Sequence, residues 1–125
     1  YVPILGRIAA GGPILAVENV EGTIPIATEW ASGEELFILR VAGESMAPTL
    51  CDGDHVLVRC QPAVRDGEIG VAMLGDEVTV KRFHTSGGSV ILKPDNEAVE
   101  PIAVAAGQGA RLRTLGKVIG VYRRL

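Results

Sequence analysis

With 125 residues the chain has room for one compact domain, and an apolar share of 47% beside 22% charged residues excludes a disordered tail or low-complexity segment. A formal net charge of −3 lacks the positive footprint that neutralises phosphates, so these residues by themselves are not expected to bind DNA. There is no run near the roughly 18 apolar residues of a membrane span and no leader pattern, and one Trp, two Tyr and two Phe make no stacking platform for single-stranded nucleic acid, so a soluble, aliphatic-core domain is expected.

Tyr1 to Ile8 alternates loosely around Pro3 and predicts an edge strand or extended arm. The next segment, IAAGGP at 8–13, is small and sterically open, able to run extended or to turn sharply. Residues 16–32 are irregular, with Ile24-Pro25-Ile26 extended and a loop around Trp30. Glu35 to Val41 predicts a buried strand, and Ser45-Met46-Ala47-Pro48 the start of a short helix that Pro48 limits. Asp52-Gly53-Asp54 is a turn into a strand from His55 to Arg59.

Asp66-Gly67 introduces Ile69 to Leu74, and Gly75-Asp76 joins it to Glu77 to Phe83 as a hairpin. Gly87-Gly88 is a second hairpin turn before Val90 to Leu92, and Thr114 to Tyr122 is the terminal strand. Arg111, Arg113, Arg123 and Arg124 interleave with apolar residues there and read as a solvent face. Turns at such intervals, with no long helical period, predict a mostly β domain, a curved antiparallel sheet or partly open barrel. The abrupt, strand-like start leads us to expect a further N-terminal domain in the whole protein.

Of four serines, Ser45 stands out, in AGESMAP at 42–48 just after a buried strand. A tight turn there can lift its hydroxyl above the sheet and aim the following N–H groups into one concavity, although Gly-x-Ser-x is also an ordinary turn or helix cap. Of three lysines, Lys81 falls inside the apolar run Val78-Thr79-Val80-Lys81 and shares a strand face with Thr79. Buried, it would lose charge by desolvation and serve as a base; on a solvated face, with Glu77 and Arg82 beside it, it would not. A Ser-His-Asp triad is the competing arrangement, but nothing puts His55 or His84 beside a serine. The pairs Asp52/Asp54 and Asp95/Glu97 sit in turns, where their own backbone bonds favour them. Cys51 and Cys60 are separated by eight residues without a CxxC pair, so neither a zinc site nor a redox motif is suggested; the spacing allows a disulfide between them, and two reduced structural cysteines are the expectation. No metal or cofactor is expected.

Five segments, VPILGRIAAGGP at 2–13, FILRVAGESM at 37–46, DGD at 52–54 with VLV at 56–58, DGEIGVAMLGDEVTVKRF at 66–83 and LKPDNEAVEPI at 92–102, together resemble the LexA repressor family, in order and over nearly the whole chain. The resemblance implies the sheet type shared with signal peptidases and a single domain over 1–125, with an arm and cleavage-site loop at 1–15 and a catalytic core at 33–125. It implies a serine endopeptidase acting on its own chain, with Ser45 as nucleophile and Lys81 as base. The scissile bond would be Ala10-Gly11, with N–H groups at Ser45 and Met46 for the oxyanion and support from Thr79.

The partners implied are a RecA filament on single-stranded DNA, which promotes the cut, and a second copy in a homodimer. Operator DNA would be met only through an N-terminal domain absent from this chain. A bacterial cytoplasmic setting in the DNA-damage (SOS) response follows, without a membrane. Other readings are a phage repressor, a UmuD-like polymerase accessory protein, a signal peptidase with the same pair, or a non-enzymatic dimerisation module. The terminal strand, Thr114 to Tyr122, is the candidate interface.

Overall fold

A computed structural model describes residues 1–8, 11–31, 33–105 and 111–125. Among them nine strands form one open mixed sheet, in the order β2-β1-β3-β4-β9-β5-β6-β7-β8. The strands are β1 (Val2–Leu5), β2 (Val20–Ile24), β3 (Leu36–Arg40), β4 (His55–Cys60), β5 (Ile69–Leu74), β6 (Glu77–Ser86), β7 (Ser89–Lys93), β8 (Ile102–Val104) and β9 (Leu112–Tyr122). All pairings are antiparallel except β1 with β3. The expected mostly β architecture is present, with one parallel pair added.

Period-two alternation explains the two apolar layers. Phe37 and Leu39 of β3 and Val56 and Val58 of β4 enter one core with Leu5, Ile8, Val41, Met46, Leu50, Val71, Met73 and Leu115. Leu36, Ile38 and Leu57, on the opposite face, pack with Val2 beneath Ile24 and Ile26. Both faces of β3 and β4 are thus covered, which is why these strands read as continuous apolar runs. A third cluster, Ala72, Phe83 and Leu92, joins β5, β6 and β7.

β9 holds the two halves together, pairing with β4 on one side and β5 on the other, with a register shift in each ladder. Gly116 permits this: a Cβ there would collide with the Arg59 carbonyl of β4.

Four local expectations change. β1 lies inside the sheet, between β2 and β3, and β2 takes the edge. Residues 16–32 contain a 3-10 turn at Val17–Asn19, the strand β2 and a one-turn helix at Thr28–Ala31. Buried Asn19 bonds the carbonyls of Pro13 and Ile14, a constraint from outside that segment. Residues 45–48 form turns and no helix, since Pro48 has no N–H to continue one. Arg123 is exposed as expected, but two of its three guanidinium nitrogens, Nε and Nη2, donate to Asp54.

Candidate active site

Ser45 lies in the connection from β3 to β4, a loop closed by its own backbone. Val41 N–H donates to the Asp54 carbonyl at 2.7 Å and Gly53 N–H to the Val41 carbonyl at 2.8 Å. Gly43, at φ +84°, enters the left-handed region open to glycine, and its N–H meets Asp52 Oδ1 at 2.7 Å. Met46 is 1% exposed and Leu50 3%, and these two side chains pin the turn to the main core. The preceding residue, Ser45, is left half-buried at the wall of a cleft.

Asp54 anchors the far end of the loop. It is 2% exposed and receives the Cys51 N–H at 2.8 Å and two bonds of 2.7 Å from Arg123. The Arg123 guanidinium, with further help from the Cys51 N–H, brings its carboxyl down to about 2 despite burial.

Lys81 comes from the middle of β6 and is 8% exposed, so the buried alternative for this residue is the one realised. Its Nζ lies 3.1 Å from Ser45 Oγ, 2.6 Å from Thr79 Oγ1 and 3.2 Å from the Val80 carbonyl oxygen. Burial pushes its pKa below the ordinary lysine value. A neutral amine has two hydrogens and one lone pair. With the hydrogens directed to Thr79 and Val80, the lone pair is left for the Ser45 hydroxyl, the geometry a general base requires.

The cleft of about 340 Å³ that holds Ser45 and Lys81 is also lined by Leu5, Gly6, Ile8, Val78 and Thr79. The N-terminal flank of the expected cleavage site therefore borders these two side chains. Ala9 and Ala10 lie outside the described residues. Gly11 is in a turn at φ +77°, and the next carbonyl, of Gly12, accepts from Arg113 Nη1 at 3.1 Å.

Neither histidine lines this cleft. His84 Nδ1 lies 3.6 Å from Asp66, and His55 faces a separate apolar groove with Trp30 and Tyr122. Cys51 and Cys60 are free, and burial raises the Cys60 thiol, which disfavours a reactive thiolate. Among the described residues no three His, Cys, Asp or Glu side chains group to hold a metal ion, and no helix is long and apolar enough to cross a membrane.

Four residues to which the sequence patterns gave no role at the site surround the Ser45 turn. Asp95 accepts from Arg82 Nε at 2.9 Å and Nη2 at 2.8 Å, and from Thr49 Oγ1 at 2.7 Å. Asn96 donates through its backbone N–H to the Ser45 carbonyl at 3.1 Å and through Nδ2 to the Glu44 carbonyl at 3.0 Å. Pro94-Asp95-Asn96 carries only a turn signal, and nothing local announces that it reaches across to residues 44–49.

A family described as Peptidase S24-like matches residues 3–119. The chain belongs to the S24-like peptidase family. It is 51% identical over 126 aligned residues to the LexA repressor of Streptomyces coelicolor, covering 100% of this chain and 52% of that protein. The LexA repressor of Desulfitobacterium hafniense is 46% identical, with 100% and 59% covered, and that of Ruminiclostridium cellulolyticum 45%, with 99% and 56% covered. This S24-like chain thus spans about half the length of the curated relatives it matches. The resemblance read from five segments extends over the whole chain.

Proposed function

We propose that this chain is the self-cleaving serine peptidase domain of a LexA-type repressor of the SOS response, cutting its own Ala10-Gly11 bond. The observation that carries the reading is the buried Lys81 amine 3.1 Å from Ser45 Oγ, with its other neighbours both hydrogen-bond acceptors. Membership of the S24-like peptidases supports it.

Neutral Lys81 takes the Ser45 proton as Oγ attacks the Ala10 carbonyl carbon. The oxyanion is received by the N–H groups of Ser45 and Met46. Collapse breaks the Ala10–Gly11 C–N bond, Lys81 returns its proton to the Gly11 nitrogen, and water hydrolyses the ester between Ser45 and Ala10. The products end at Ala10 and begin at Gly11. Tethering supplies a high effective concentration, and small side chains at the bond let backbone approach the nucleophile. Residues 1–15 act as arm and cleavage loop and 33–125 as the core.

Control lies in where the loop sits. A RecA filament on single-stranded DNA promotes cutting by binding the engaged state more tightly than the disengaged one, and adds no catalytic group. The domain also dimerises, so that DNA-binding domains elsewhere in the protein meet an operator as a pair. For the interface, Val121 and Tyr122 are each 53% exposed, and β9 from Val118 onward pairs with β4 on one edge while β5 stops at Lys117.

The deciding test is incubation at alkaline pH followed by intact mass. A first-order cut after Ala10, unchanged by dilution and abolished by Ser45→Ala and by Lys81→Ala, is expected. If the chain stays whole at every pH, or either variant cuts like the parent, the reading falls and a non-enzymatic dimerisation module takes its place.

A further inference from the structure

Two peptide units flank the Ser45 Cα, and one residue grips both by their carbonyl ends. Asn96 Nδ2 donates to the Glu44 oxygen at 3.0 Å, and Asn96 N–H donates to the Ser45 oxygen at 3.1 Å. A trans peptide is planar, and its carbonyl and the N–H of the next residue point in opposite directions. Fixing the Glu44 carbonyl therefore aims the Ser45 N–H, and fixing the Ser45 carbonyl aims the Met46 N–H.

Neither of these N–H groups donates to an acceptor among the described residues, whereas the next one, of Ala47, closes back on Glu44 at 3.1 Å. Two adjacent unspent donors thus sit beside the Ser45 hydroxyl, each held from behind. The amide of Asn96 can adopt only one orientation here, because its Oδ1 accepts the Ala98 N–H at 3.0 Å and leaves Nδ2 toward Glu44. Asp95, clamped by Arg82 and Thr49, fixes the position of Asn96 in turn.

We propose that Asn96 is the positioning residue of the oxyanion site, orienting the Ser45 and Met46 N–H groups without touching substrate. The proposal rests on the self-cleavage reading and names what holds its two donors in place. Such donors accelerate acyl transfer only when their direction is set before the charge develops.

Two variants of the whole 125-residue chain test it. Asn96→Asp keeps the backbone bond to Ser45 and an oxygen for Ala98 but replaces the donor at Glu44 by an acceptor; Asn96→Ala removes the side chain and adds no charge. Both are expected to lower the high-pH plateau of the first-order cutting rate by roughly 10- to 100-fold. Asn96→Ala should leave the pH midpoint of cutting where it is, since Asn96 makes no contact with Lys81. In an uncut Lys81→Ala background, Asn96→Ala should shift the amide resonance of Ser45, whose N–H belongs to the peptide that loses the Nδ2 bond, while those of β5 stay in place.

A parent that cuts, with both Asn96 variants cutting at its plateau rate, overturns the positioning role and leaves self-cleavage standing. A slowed Asn96→Ala plateau with a moved midpoint, or with an unmoved Ser45 amide, also overturns it. A parent that never cuts brings down both proposals together.

Discussion

Arg123 and Asp54 meet through two bonds of 2.7 Å, tying the end of the terminal strand to the turn that closes the Ser45 loop. The carboxylate is almost fully buried and the guanidinium only partly covered, so the pair protects an anion more than a cation. Arg123→Ala leaves that anion buried with one remaining donor, the Cys51 N–H, and is expected to lower Tm by about 5 °C at pH 7. The pH dependence follows from the same pair. The folded carboxyl titrates at about 2, below its ordinary 3.8, so its stabilisation is complete above 3.8 and disappears as pH falls through 2. Thermal melts of parent and Arg123→Ala from pH 7 to 2 should therefore converge at the acid end; a constant gap contradicts this account.

Cutting rate should rise tenfold per pH unit while Lys81 is mostly charged, then level off at a midpoint below 10.5, because burial favours the neutral amine. Thr79→Val removes the acceptor 2.6 Å from Nζ. That change disfavours the ammonium, so the midpoint moves lower, but the amine is less well aimed and the plateau drops about tenfold. Thr79→Ser keeps the acceptor and should behave like the parent. Quenched time courses across pH 6 to 11 check all three chains; a Thr79→Val midpoint that moves upward sinks the orienting role.

A base kept uncharged by burial is a cost to folding. Below the folded midpoint of Lys81 the ammonium is carried in a desolvated site, and between that midpoint and 10.5 the unfolded chain binds more protons than the folded one. Stability of the parent therefore rises with pH across that window. Lys81→Met fills similar space without charge and should be more stable at pH 7 by about 1 kcal/mol, or roughly 4 °C in Tm. The advantage should shrink toward pH 10.5. Denaturant titrations at pH 7 and 10 measure it, and a less stable Lys81→Met at pH 7 refutes the prediction.

Val121 and Tyr122 end β9 with apolar side chains in solvent. If this stretch pairs with its copy, Val121→Asp puts two carboxylates at the contact and should give a monomer that still cuts itself at the parent rate, because the Ser45 cleft lies elsewhere on the sheet. Sedimentation of both chains decides; a parent that is monomeric at high concentration removes β9 as the interface.

Strands β3 to β7 and β9 were legible because apolar runs, alternation and glycine-rich turns are local signals, and Asp52-Gly53-Asp54, Gly75-Asp76 and Gly87-Gly88 mark their ends. β2 and β8 were not: the composition of each is mixed, and pairing with β1 or β7 makes it a strand. Burial of Lys81 was undecided in the sequence for a similar reason. Val78 and Val80 speak for an apolar setting, Glu77 and Arg82 for a wet one, and the Ser45 turn folding over β6 resolves the conflict.

By itself the sequence determined the fold class, the two polar residues worth testing, and a small, open segment at 8–13 suited to close backbone approach. Only the tertiary structure decided that Lys81 reaches Ser45 across 36 positions, Asn96 reaches Glu44 across 52, and Arg123 reaches Asp54 across 69. The physical reason is range. Turn chemistry and side-chain alternation act over a few residues, whereas burial, hydrogen bonding across strands and the pKa shifts they cause exist only after the sheet has brought distant segments together.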